Sequence, residues 1–180
     1  MAVASAYPSG TAVPYRMSME TVGLFSVLLG AWAGIVPYVG PIFGFSADGS
    51  ASWTWNLAHS LLFLLPGAGI LVAGLLMMVE GASHGPARSA VLSLAAMLAL
   101  LCGAWLIVGP VAWRAIEGSN FFTPARPLTE LGYWIGYSLG PGGLAMAFGA
   151  FVLGRPHRNQ VVASAPAAVV DDRPPVVDAP

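Results

Sequence analysis

Four long apolar stretches constrain this chain more than anything else in it: Thr21 to Val39, Trp53 to Val79, Ser89 to Trp113, and Leu128 to Leu153. Crossing a hydrocarbon layer takes about 20 predominantly apolar residues in a helix, and each stretch meets that length with few ionisable groups. The pieces between them, "GFSADGSAS", "EGASHGPAR" and "EGSNFFTPARP", carry turn chemistry. Composition agrees. The 180 residues are 57% hydrophobic and 8% charged, against roughly 25% charged in a soluble domain. The expected fold is an all-α membrane protein with four transmembrane helices arranged as two tandem helical hairpins.

Residues 1–20 read as a flexible arm on the cytoplasmic side, with no basic n-region leading into a short apolar segment. Translation from Met1 or from Met17 fits equally. Residues 21–154 form the transmembrane domain, with repeat one over 21–79 and repeat two over 89–154. Residues 155–180 are rich in proline and alanine and read as a disordered cytoplasmic tail. Orientation follows from arginine placement. Arg16, Arg88, Arg155 and Arg158 flank one side of the predicted bundle, and Arg114 and Arg126 the other. This places both termini in the cytoplasm of a cell bounded by a plasma membrane. All cations are arginine, and the richness in Ala, Gly and Pro suits a GC-rich bacterial genome. The net charge of -1 offers no field for nucleic acid. Trp53, Trp55, Trp113, Trp134, Tyr133 and Tyr38 fall near the expected outer ends, where amphipathic rings suit the headgroup level.

The chain repeats itself. Gly30-Ala31-Trp32 with Pro37 returns as Gly103-Ala104-Trp105 with Pro110, 73 residues later. Pro66-Gly67 and Gly74 return as Pro141-Gly142 and Gly149, 75 residues later. Each unit has two spans, so both copies face the same way. Pro66 and Pro141 lie inside spans and predict kinks turned toward the bundle, where neighbours can re-satisfy a freed carbonyl. Pro37 and Pro110 are expected to close their helices. Gly30 and Gly34 make one GxxxG pair, and Gly132, Gly136 and Gly140 a double one. Both are candidates for close helix packing, within the chain or, on the fourth helix, between two copies.

At "GAWLIVGPVAW" the chain resembles the SPW-repeat membrane proteins of bacteria and archaea. The matching residues are Gly30, Trp32 and Pro37, then Gly103, Trp105 and Pro110, with Trp55-Asn56 opening the second helix of the first copy. The motif departs at Val36 and Gly109, which stand for serine, and at Tyr38 and Val111, which stand for tryptophan. Over residues 24 to 153 the resemblance implies a small four-helix membrane protein, and it implies no catalytic residues.

His59 is the most informative single residue. It lies within the second apolar stretch, on the same helical face as Asn56, with Ser60 beside it. An intramembrane ionisable group is a functional candidate by default. The plainest role is a neutral histidine hydrogen-bonded to another helix; a proton or ligand site comes next, and haem or metal ligation last. Haem wants a second axial ligand, whereas His84 and His157 fall on the opposite side. Glu130 opens the fourth helix and faces Arg114, Glu117 and Arg126 in the same loop. With Asn56, His59 and Asp48 it could line a shared outer patch. The lone Cys102 forms no intrachain disulfide and reads as a packing residue. No hydrolase, zincin, dinucleotide or P-loop motif occurs.

The expectation is therefore a non-enzymatic integral membrane protein with no cofactor. It would be an accessory or packing subunit that meets lipid and other membrane chains or its own copies. A small transporter or channel component built around His59 is the alternative, and a haem- or metal-binding redox protein the third reading.

Overall fold

The computed structural model of the chain describes residues 18–82, 88–118, 121–122 and 127–155. The predicted N-terminal arm before Ser18 and the tail after Arg155 lie outside the described residues, as do His84, Arg126 and His157. Helix α1 runs Met19–Val39, capped by the Ser18 hydroxyl, which accepts from Thr21 N–H at 3.2 Å. A 3-10 turn over Gly40–Phe43 ends at Gly44, whose φ of 76° needs a residue without a side chain. The second span begins with the single turn α2, Leu57–His59, passes through a π-helical turn at Ser60–Leu64, and continues as α3, Leu65–Ala82. Helix α4, Arg88–Glu117, is the third span. The fourth consists of α5, Pro127–Tyr133, a π-helical turn at Trp134–Leu139, and α6, Gly140–Leu153. The four segments Met19–Phe43, Leu57–Gly81, Ala90–Glu117 and Pro127–Leu153 are each long and apolar enough to cross a membrane. No strand occurs among the described residues.

Helix α1 packs along α3, α4 packs along α6, and α3 meets α4 to join the two hairpins. The hairpin seams are built on glycine. A Cβ on Gly67 would sit 2.5 Å from the Gly34 nitrogen and 2.8 Å from the Gly30 carbonyl oxygen. A Cβ on Gly74 would sit 2.7 Å from the Gly23 carbonyl oxygen. Repeat two uses the equivalent positions: Gly103 and Gly142 each stand where a Cβ would come within 2.7 Å of the other's carbonyl oxygen, and Gly149 faces Ala96 O at the same distance. Lipid provides no hydrophobic drive between helices, so close backbone approach of this kind supplies the packing attraction.

The fourth-span glycines behave differently. Gly132 has open space where a Cβ would stand, Gly136 lies against the Phe45 ring, and Gly140 lies against the Ile135 carbonyl of its own span. The seam of repeat two runs instead through Gly103, Gly142 and Gly149.

The prolines also have distinct surroundings. Pro66 and Pro141 are buried, and each follows a π turn. In both, the residue before the proline donates five residues back: Leu65 N–H to Ser60 O, and Gly140 N–H to Ile135 O. These two bonds are equivalent under the 75-residue repeat. Pro37 lies two residues before the end of α1. Pro110, expected to close the third helix, does not: α4 continues to Glu117. Pro110 cannot donate to Leu106 O four residues earlier. The Ser138 hydroxyl donates to that oxygen at 2.5 Å instead, so the helix passes through the proline with its carbonyl satisfied.

The buried core has two zones. Toward one end lie Met19, Val22, Ala73, Met77, Ala95, Ala96, Ala99 and Val152. Toward the other lie Val36, Leu62, Phe63, Leu106, Phe121, Phe122, Tyr133 and Tyr137. Tyr38 and Tyr133, expected at the headgroup belt, are buried in this aromatic end, whereas Trp53 and Trp55 are exposed. The bundle closes unevenly. Between α1 and α6 it leaves an apolar groove of about 290 Å³ lined by Phe25, Leu28, Leu29, Trp32, Leu144 and Phe148.

Candidate functional site

His59 is 1% exposed, and the loop before it supplies partners for both ring nitrogens. The second span starts late enough that residues 44–56 fold back over its end. Asn56 caps the span, its Oδ1 accepting from His59 N–H at 2.6 Å. Sequence spacing put Asn56 and His59 on one helical face; the contact is instead between the Asn56 side chain and the His59 main chain. Thr54 O lies 2.9 Å from His59 Nδ1, and Asp48 Oδ2 lies 2.9 Å from Nε2.

Protonation follows from these partners. A carbonyl oxygen only accepts, so Nδ1 donates to Thr54. Burial opposes the charge on Asp48, but hydrogen bonds from His59 and from the Ser50 hydroxyl and main chain outweigh it and hold the carboxyl down at about 2. Nε2 and the Asp48 carboxyl share one further proton between them. The site is a hydrogen-bonded histidine–aspartate pair, neutral as a whole, at the end of a span.

Aromatic rings close around it. The Tyr38 ring stands edge-on to His59 at 5.5 Å and Phe121 at 5.8 Å. Trp55 tilts onto Tyr38 at 4.6 Å. The loop has two further fastenings: Tyr137 OH donates to Phe45 O, and Trp53 N–H donates to Tyr38 O at 2.9 Å. Trp53 has φ 61°, unusual for a residue with a side chain. The Tyr38 hydroxyl has no hydrogen-bond partner among the described residues, although its residue is only 2% exposed.

The shared outer patch expected from sequence is thus partly assembled. Asn56, His59 and Asp48 form one cluster. Glu130 belongs to a neighbouring cleft with Arg114, Phe121, Phe122 and Trp134. Phe121 touches both sites. Among the described residues no group of three or more His, Cys, Asp and Glu is placed to hold a metal ion.

Two functional side chains escaped the sequence reading in their role, though not in their position. Trp32 Nε1 donates to Gly136 O at 3.1 Å, and Trp105 Nε1 donates to Leu61 O at 2.9 Å. Trp32 and Trp105 are repeat equivalents, and so are Leu61 and Gly136. Each acceptor has lost its in-helix donors. Leu65 N–H is turned to Ser60, and Pro66 has no N–H; Gly140 N–H is turned to Ile135, and Pro141 has none. The tryptophan of each hairpin therefore satisfies a carbonyl left bare by the proline of the other. The signal was present in the sequence as the co-occurrence of Gly-Ala-Trp and Pro-Gly in both copies.

These elements define a multi-pass α-helical membrane protein of two similar hairpins. No protein-family model matches the chain, and neither a curated protein nor a solved structure matches it.

Proposed function

We propose that this protein is a non-enzymatic subunit of a bacterial plasma membrane, with both termini cytoplasmic, that packs against copies of itself or another membrane chain. The observation that carries this reading is the uneven closure of the bundle: α3 and α4 are joined, while α1 and α6 leave an apolar groove of about 290 Å³. Both His59 ring nitrogens are engaged by the 44–56 loop, which supports a role for that residue in holding the loop. The duplicated Gly-Ala-Trp hairpins support kinship with SPW-repeat proteins. Native mass spectrometry of the full chain in mild detergent tests the reading. A homo-oligomer or a stoichiometric partner is expected; a clean monomer overturns it.

A second reading, a small transporter component, draws on the unpartnered Tyr38 hydroxyl beside the histidine–aspartate pair. Solute flux in liposomes that is lost in His59→Ala would favour it, and absence of any flux would end it.

A further inference from the structure

The cleft beside the His59 site is lined by Pro110, Val111, Arg114, Phe121, Phe122, Glu130 and Trp134 and has a volume of about 150 Å³. A single water needs roughly 10–15 Å³ on such a measure, so the space suits a small polar group of several heavy atoms. Its chemistry contrasts with that of its neighbour. At Asp48–His59, a carboxyl and an imidazole are in direct contact at 2.9 Å. Here a guanidinium and a carboxylate line one cleft, yet no ion pair within 4.0 Å joins them. Two opposite charges held apart in one cleft match a ligand that carries both signs.

The walls fit each end of such a ligand. Arg114, in the last turn of α4, presents a planar fork suited to phosphate oxygens. Glu130 lies on α5 with aromatic rings around it. Phe122 and Trp134 pack with centroids 4.5 Å apart, and Phe121 meets Phe122 at 5.3 Å and 87°. A carboxylate in a cleft lined by aromatic side chains suits an ammonium group. Arg114 and Glu130 cancel, so an anionic group would leave Glu130 opposed. Both residues sit near the ends of their spans, where a membrane protein meets lipid headgroups.

We infer that this cleft binds an ammonium–phosphate zwitterion of the ethanolamine phosphodiester class. The same chemistry is presented by an ethanolamine phospholipid headgroup and by a free glycerophosphoethanolamine.

Full-length protein in mild detergent, offered equal amounts of phosphatidylethanolamine and phosphatidylglycerol with identical acyl chains, tests this by native mass spectrometry. The ethanolamine lipid should be retained about fivefold over the glycerol lipid, a ratio in the range of an aromatic–cation contact. Glu130→Gln should bring the ratio close to one, and Arg114→Gln should weaken retention of the ethanolamine lipid. Far-UV circular dichroism checks that each variant is folded; Phe122→Leu substitutes for either that is not and should lower the ratio. Competition by soluble glycerophosphoethanolamine identifies the free ester as a sufficient ligand, and lipid retention without competition identifies the lipid. Equal retention of both lipids by the unaltered protein with no binding of the free ester overturns the inference. So does selectivity that survives the substitutions.

Discussion

Trp105 donates its indole N–H to Leu61 O at 2.9 Å, the carbonyl whose α-helical donor, Leu65 N–H, is diverted to Ser60 and whose position for a π-helical donor is filled by Pro66, which has no N–H. The bond and the proline should therefore be thermodynamically coupled. Trp105→Phe keeps the ring and removes the donor, and should cost about 1 kcal/mol of stability in detergent. In a Pro66→Ala background a local N–H becomes available, and the cost should fall well below that. A double-mutant cycle on thermal unfolding measures the difference; additive effects would show that the two residues are independent.

The glycine seams predict a sharp contrast between positions of identical residue type. Gly67→Ala drives a methyl to 2.5 Å from the Gly34 backbone. Backbone cannot rotate aside as a side chain can, so about 1–3 kcal/mol should be lost. Gly132→Ala meets nothing within 4 Å and should be neutral or stabilising by up to about 1 kcal/mol, from helix propensity alone. Unfolding midpoints of the two variants, compared in one detergent, decide this.

The clamp at Asp48 has a defined response to acid. Its carboxyl is depressed from the ordinary 3.8 to about 2. A depressed carboxyl contributes stability that is whole above the unfolded value and is lost as pH falls through the folded one. Near-UV circular dichroism, which sees Tyr38, Trp53 and Trp55, should stay constant down to about pH 4 and change between there and pH 2. Asp48→Asn should abolish that transition and weaken the fold at neutral pH, because it takes the carboxylate away from His59 Nε2. An unchanged acid transition in Asp48→Asn would assign it to other carboxyls.

The proposed orientation places the 44–56 loop outside the cell. With Cys102 replaced by serine, Ala51→Cys should react with a membrane-impermeant maleimide on intact cells, since Ala51 is exposed. Ala163→Cys, in the C-terminal tail, should react only after lysis. The reverse pattern would invert the topology.

Much of the fold was legible because a bilayer imposes a length and an apolarity that four stretches of this chain meet. The repeat was legible because tryptophan is rare enough for its recurrence at a fixed spacing from a proline to register. Its purpose was not, because the recipient of each indole N–H lies in the other hairpin. GxxxG spacing pointed to Gly132, Gly136 and Gly140, but spacing along one helix does not say which face meets a neighbour. Gly103, Gly142 and Gly149 form the seam because of how α4 and α6 are rotated. His59 was visible as an anomaly in an apolar run. Its partnership with Asp48, 11 residues away along an irregular loop, depends on loop closure, which has no periodicity to read.

The reciprocal exchange of indole donors has a consequence for biogenesis. The first hairpin leaves the ribosome and enters the membrane before Trp105 has been made. Until then Leu61 O has no partner, in a medium where a bare carbonyl is costly. The hairpin must wait with that turn hydrated or held by the insertion machinery. Arrival of the third span ends the wait, and only when the fourth follows does Trp32 find its own acceptor at Gly136. Assembly is thus ordered by chain synthesis, with the earlier half remaining incomplete until the later half docks.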